Sequence, residues 1–279
     1  MSMSDSLRNP ISEDEQTNLI AVAHEMAEAA KVAILPYFRG SDLTLENKDA
    51  AGFDPVTAAD KAAEQAMRDV LATKRPQDGI WGEEFGRSPG VSGLSWVLDP
   101  IDGTRGFISG TPTWGVLIAL SDQSGPLLGI IDQPYIGERF IGGFGQAYYT
   151  GPLGQRTLAA RSANRVDQAT LFSTYPEIGT KKDYQGFRAV ADHANLVRYG
   201  VDCYAYALLA AGQIDLVIEA GLNAYDIQAP IAVVEAAGGL VTNWQGGPAH
   251  LGGQVVACAS QQLLNEVLPL LAPYAVAAK

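Results

Sequence analysis

Asp99 and Asp102 stand three residues apart in WVLDPIDGTRGF, directly after the apolar run Trp96-Val97-Leu98. An apolar strand that ends in two closely spaced acids and a hydroxyl residue admits two readings. One is a polar turn that caps the next segment. The other is a site for a hard cation with a phosphate beside it. Acids three apart on a turn can point to the same side. Pro100 stiffens the turn and removes one N–H, which leaves the neighbouring carbonyl of Ile101 available as a ligand. Gly103 lets a ligand approach the backbone closely, and Thr104 adds a hydroxyl. If a helical turn starts here, the amides of Gly103 and Thr104 point at an anion with the helix dipole behind them.

Other acids sit at comparable places. Glu83 follows GIWG, Asp226 opens DIQAPIAVVEAA, and Asp60 begins a helix after PVTA. Each lies where an apolar element gives way to a turn, the usual place for active-site groups. Taken singly they have plainer roles. Thr57-x-x-Asp60 reads as a capping box, Asp226 as an N-cap, and Glu83-Glu84 as surface acids. If they converge, their mutual repulsion calls for a divalent cation. Oxygen donors favour Mg2+ or Mn2+ over zinc, and His24, His193 and His250 lack a ligand-like spacing. An aspartyl-phosphate mechanism of the haloacid dehalogenase type needs a second Asp two residues before Asp102. Pro100 stands there, which argues against it.

The elements that must position these acids fall into two rhythms. Glu13 to Phe38 carries apolar residues at helical spacing, and His24 beside that stripe reads as structural. LTLEN alternates as a short strand, and a second helix starts near Thr57. Strand candidates follow at Ile80-Trp81, Trp96 to Leu98, Gly115 to Leu120 and Leu127 to Ile131, with a hairpin through Arg139 to Tyr149. From about Gly151 strands alternate with helices: TLFST, NLVRYG, IDLVIEAG, GGLVTNW and VVACAS, with helices at Tyr204 to Ala211, Ile227 to Ala237 and Gln261 to Leu271. The expectation is an α+β half over residues 1–155, carrying most of the acids, and an α/β half over 156–279, carrying Asp226.

The 279 residues are 47% hydrophobic, enough for a substantial core. The formal net charge of -12, with no cluster of Lys or Arg, argues against nucleic acid and against anionic membranes as partners. No apolar run approaches the roughly 20 residues of a membrane helix, and the N-terminus lacks the pattern of a signal peptide. Cys203 and Cys258, each in an apolar segment, read as reduced thiols in a cytoplasmic protein.

DPVTAAD, WGEE, WVLDPIDGT and AYDIQAPIAVVEAAGG, in this order, resemble the inositol monophosphatase superfamily of metal-dependent sugar and polyol phosphatases. The resemblance implies a layered α-β-α-β-α sandwich, usually a homodimer, with lithium-sensitive chemistry on two or three Mg2+ ions. It implies Glu83, Asp99, Asp102, Asp226 and the Ile101 carbonyl as ligands. Glu83 would also orient the attacking water with Thr104 as its partner, and Asp60 would support a weaker ion. Lys48 falls on the loop the family keeps near its site, and Tyr225 replaces the usual Trp. GIIDQPYIGERF and YGVDCYAYALLAAGQIDLVIEAGLNAYDI look most like the histidinol-phosphate phosphatase branch. Asp202, where inositol enzymes carry a small residue, would pair with the amine or imidazole of L-histidinol phosphate, helped by Glu219. Arg105 would join them on the substrate side. As plainer roles, Asp202 would cap the helix from Tyr204, and Arg105 would brace the site or a subunit contact. Other readings are an inositol-1-phosphate phosphatase, a sugar or nucleotide bisphosphate phosphatase, or a non-catalytic metal-bound scaffold.

Overall fold

A computed structural model describes residues 11–40, 45–47, 55–162, 164–177 and 179–276, so Lys48 lies outside the described residues. The first helix, α1 (Glu13–Ile34), is started by the Ser12 hydroxyl, which accepts the Glu15 N–H at 3.3 Å. It stops short of the expected Phe38 because Pro36 has no N–H to continue the ladder. A short antiparallel pair, β1 (Leu45–Asn47) and β2 (Pro55–Thr57), leads into α2 (Ala58–Lys74).

The first sheet contains β3 (Gly79–Gly82), β4 (Gly86–Ser88), β5 (Ser95–Asp102), β6 (Gly115–Asp122), β7 (Gly125–Gln133), β8 (Glu138–Gly143), β9 (Gln146–Gly151) and β10 (Gly154–Thr157). Their order is β10-β9-β8-β7-β6-β5-β3-β4. Every neighbouring pair is antiparallel except β3 with β5. A one-turn helix, α3 (Thr104–Ile108), follows β5. The second sheet holds β11 (Thr170–Ser173), β12 (Leu196–Tyr199), β13 (Leu216–Leu222), β14 (Leu240–Asn243) and β15 (Gly253–Cys258), ordered β12-β11-β13-β15-β14. Its helices are α4 (Lys181–Ala191), α5 (Tyr204–Ala210), α6 (Ala224–Ala236) and α7 (Gln261–Leu271).

Period-two alternation along the strands sorts their side chains into three cores. Trp96, Leu98, Val116, Ile118 and Leu120 face α1 and α2, while Val97, Leu117 and Ala119 face the layer holding α5 and α6. In the second sheet, Val217, Val255 and Ala257 face that same layer; Leu216, Ile218, Val256 and Cys258 face α4 and α7. The strands therefore read as continuous apolar runs, because both faces of each sheet are covered. The result is an α-β-α-β-α sandwich, as the motifs implied. Cys203 and Cys258 are both buried free thiols. His24 lies between Tyr148 Oη at 3.0 Å and Arg139 Nη1 at 3.1 Å, and burial and the guanidinium lower its pKa, in keeping with a structural residue.

Helix α4 escapes the periodicity reading because its exposed face is charged and its apolar stripe is short: Phe187, Val190 and Ala191. Its start was nonetheless legible, since Thr180 and Asp183 form a capping box. Strands β4 and β10, three- and four-residue edges with no buried positions, leave no apolar signature.

Helix α6 lies flat on the first sheet because two glycines let it. A Cβ on Gly129 would strike the Ala229 carbonyl, and one on Gly142 would come 2.5 Å from the Ala232 carbonyl. We expect Gly129→Ala to cost about 1–3 kcal/mol through overpacking and to lower Tm by several degrees in thermal denaturation. An unchanged Tm would mean that α6 is free to shift outward.

Candidate active site

Parallel pairing brings the first two acids together. The register sets Gly82 opposite Leu98, and the Glu83 N–H donates to the Leu98 carbonyl at 3.1 Å. Glu83 and Asp99 thus leave neighbouring strand ends side by side, and their carboxyl groups share a hydrogen bond. The ladder between β5 and β6 is interrupted between Asp99 and Asp102, where Pro100 has no N–H to give. That irregularity turns the chain within the length of the motif. The Asp99 carboxylate accepts the Ile101 N–H at 3.1 Å, and the Thr104 hydroxyl donates to the Ile101 carbonyl at 3.1 Å. The Ile101 carbonyl keeps one lone pair beyond that bond.

The second half of the chain supplies the rest. Helix α6 starts at Ala224, two residues before Asp226. Asp226 reaches back and accepts the Asn223 N–H at 2.6 Å, so it closes the helix start from the third position instead of capping it. Asp102 accepts the Cys203 N–H at 2.6 Å, which ties the end of β5 to the entry of α5. Oxygen atoms of Asp99, Asp102 and Asp226 lie within 4.8 Å of one another. These residues, with Glu83, line a cavity of about 770 Å³. Asp60, 1% exposed on the first turn of α2, is buried and is not part of the cavity lining.

Asp202 does not cap α5, whose N-cap is Cys203. It occupies the left-handed region at φ 47°, with its side chain over α3. A Cβ on Gly103 would lie 2.6 Å from the Asp202 carboxyl carbon, so glycine is required there both by its φ of 86° and by Asp202. Glu219 is 9% exposed and fully anchored. One oxygen accepts the Thr174 N–H at 2.9 Å and the Thr174 hydroxyl at 2.6 Å; the other accepts the Tyr206 hydroxyl at 3.1 Å. Thr174 and Tyr206 were not singled out from sequence, where nothing distinguishes a hydroxyl that holds an acid from any other. Arg105, Gly103 and Thr104 line the same cavity.

The electrostatics follow from this crowding. Burial first, then Glu83, Asp102 and Asp226, hold the Asp99 carboxyl well above the usual carboxylate range. Asp102 is raised by burial and by Asp202 and Asp226, against the pull of Cys203. Burial pushes Asp226 up to about 7, with Glu83 and Glu219 adding to it and the Asn223 amide opposing. Burial and Glu219 push Asp202 up to about 7, with Arg105 opposing. Acids elsewhere in the core have cations or neutral donors instead. Asp132 is bonded by Arg139 at 2.6 Å, and Asp78 by Arg75 at 2.7 Å and by the Trp96 indole at 3.0 Å. In the cavity acids face acids, an arrangement suited to a divalent cation with hard oxygen ligands.

A layered fold with an all-oxygen acid cluster at its strand ends defines the class as one built to hold metal ions. Residues 15–274 match the inositol monophosphatase family, and the chain belongs to it. It is a phosphatase of that metal-dependent family, whose substrates are small phosphate esters. The chain is 41% identical over 238 residues to the bifunctional phosphatase IMPL2, chloroplastic, of Arabidopsis thaliana, covering 85% of this chain and 67% of that one. It is 33% identical to the histidinol-phosphatase of Mycobacterium tuberculosis, covering 94% of this chain and 99% of that one. A solved inositol monophosphatase from Zymomonas mobilis superposes with a TM-score of 0.81 at 38% identity, covering 94% of this chain and 99% of that one. Among the described residues no helix is long and apolar enough to cross a membrane.

The raised carboxyls give stability a definite pH dependence. In the unfolded chain Asp202 and Asp226 ionise near the ordinary value of about 3.9. In the folded, cation-free chain they keep their protons up to about 7. Between those values the unfolded chain binds fewer protons, so stability falls as pH rises through this window and levels off above it. We expect Tm without divalent cations to be higher at pH 5 than at pH 8, with Asp226→Asn removing part of the difference. Added Mg2+ should raise Tm more at pH 8 than at pH 5. A larger rise at pH 5 would contradict this.

Proposed function

We propose that the chain hydrolyses L-histidinol phosphate, with Mg2+ or Mn2+ held by Glu83, Asp99, Asp102, Asp226 and the Ile101 carbonyl. The observation that carries the reaction is the meeting of Asp99, Asp102 and Asp226 oxygens in one cavity. Bound there, such a cation acidifies water and neutralises the charge that builds on the phosphoryl and departing oxygens. Glu83 takes the proton of the attacking water as the new P–O bond forms and the ester P–O bond breaks, and the departing alkoxide is protonated by solvent. Gly103 and Thr104 supply amides to the phosphoryl oxygens, and the bond from Thr104 to Ile101 keeps the turn closed around them. Asp60 supports a further ion from the first turn of α2.

Asp202 and Glu219 support the substrate. Glu219 is locked by Thr174 and Tyr206 and acts as a fixed charge. Asp202 shares its surroundings, and a cationic amine or imidazolium beside it relieves the repulsion between them. A neutral polyol gains less from this pair. The histidinol-phosphatase relative, matched along nearly its whole length, points the same way.

Two measurements test this. Asp99→Asn at saturating Mg2+ should lower phosphate release at least about 100-fold, and turnover near the parent level would sink the metal scheme. Across L-histidinol phosphate, myo-inositol 1-phosphate and a sugar bisphosphate, kcat/KM should be highest for the first. Asp202→Ala should lower that value roughly 10- to 100-fold, as expected for a lost charged hydrogen bond, and move the inositol substrate less than about threefold. Equal losses on both substrates would remove Asp202 from the specificity argument.

A further inference from the structure

Glu64 is completely buried, yet it lies outside the lining of the cavity. It sits one turn beyond Asp60 on α2, with Arg68 one turn further, so the spacing puts all three on one helix face. Glu64 accepts the N–H of Glu84 at 2.6 Å and of Phe85 at 3.2 Å. Arg68 Nε donates to Glu64 at 2.8 Å. The other guanidinium nitrogens of Arg68 reach past the loop, to the Gly86 carbonyl at 2.6 Å and the Ser88 hydroxyl at 3.0 Å. Gly82 is pressed so closely on this pair that a Cβ there would overlap the Glu64 carboxylate.

The loop between β3 and β4 is therefore held residue by residue. The Glu83 N–H is fixed by Leu98, the next two amides by Glu64, and the strand beyond by Arg68. We propose that Glu64 and Arg68 are positioning residues that aim the Glu83 carboxylate at the cation site. The inference rests on Glu83 being a ligand there, as proposed above. A carboxylate suits this task because it accepts both N–H groups at once through charge-assisted bonds, while Arg68 balances its charge. Since α2 also carries Asp60, one rigid helix sets the depth of two of the proposed acids from behind.

The test uses the full chain and Mn2+. Loss of an outer support of a metal site costs about 10- to 100-fold in affinity or activity. In Glu64→Gln the Mn2+ dissociation constant, read by electron paramagnetic resonance, should therefore rise at least about tenfold. At saturating cation, kcat should fall by a similar factor while KM for the phosphate ester moves less than threefold. Amide exchange at Glu84 and Phe85 should quicken. Arg68→Met should act in the same direction, with Arg68→Lys between it and the parent. Glu25→Gln, which breaks the exposed pair with Lys74, should change none of these. Parent-like Mn2+ affinity and kcat in a folded Glu64→Gln with fast amide exchange would overturn the proposal. Should that variant fail to fold, the same result in Arg68→Met would overturn it. A parent chain that binds no Mn2+ would instead defeat the metal reading itself, and this inference with it.

Discussion

Like charges resist being crowded together away from bulk water, and the architecture around the buried Asp99 and the half-buried Asp102 and Asp226 forces them to be. Two parallel strand ends deliver Glu83 and Asp99 at the same level. The interruption after Asp99 turns the chain so that Asp102 follows within reach. Asp226 arrives from the far half on the first turn of α6. Each placement is secured by a backbone bond to or beside the acid: Glu83 N–H to Leu98, Ile101 N–H to Asp99, Cys203 N–H to Asp102, Asn223 N–H to Asp226. The acids are thus fixed by the fold before any cation is considered.

The middle layer makes this arrangement stiff. Helix α6 touches the first sheet through Gly129 and Gly142, so its depth is set by backbone contact and not by compressible side chains. Helix α5 packs beside it and presents Cys203 to Asp102. Both sheets contribute inner faces to the same core, so neither half of the site moves without the other. The link from the first sheet to the second runs between Thr157 and Thr170. There Arg161 grips Asp215, and Asp215 also accepts the Thr170 N–H at 2.7 Å.

Charge separates structural acids from functional ones more clearly than burial does. Asp78, Asp132 and Asp215 are as hidden as Asp99, but each is answered by an arginine. Glu64 is answered by Arg68. Glu219 is answered by hydroxyls and an amide, which hold its charge in place without cancelling it. Asp202 stands next to that charge in a backbone conformation that most residues avoid, and glycines beneath it make room. The cost of this placement is intelligible if the negative charge is wanted where it stands.

Much of this was legible in the chain itself. The acids could be named because each interrupts an apolar element at a turn, and the long helices because their apolar stripes recur at 3.6 residues. The same local rules missed β4 and β10, short polar segments held at a sheet edge, and α4, whose apolar stripe is only a few residues long. They also missed Glu64, Thr174 and Tyr206; apart from Arg68, four residues from Glu64, their partners lie 13 to 45 residues away. Residue type and spacing determined which groups could carry chemistry, because those properties act over a few residues. Only the tertiary structure decided which of them meet: Asp102 with Cys203 across 101 residues, Glu83 with Asp99 through strand register, and Asp202 above Gly103 through the docking of α5. Such meetings depend on how whole sheets and helices pack, and packing is a property of the assembled chain.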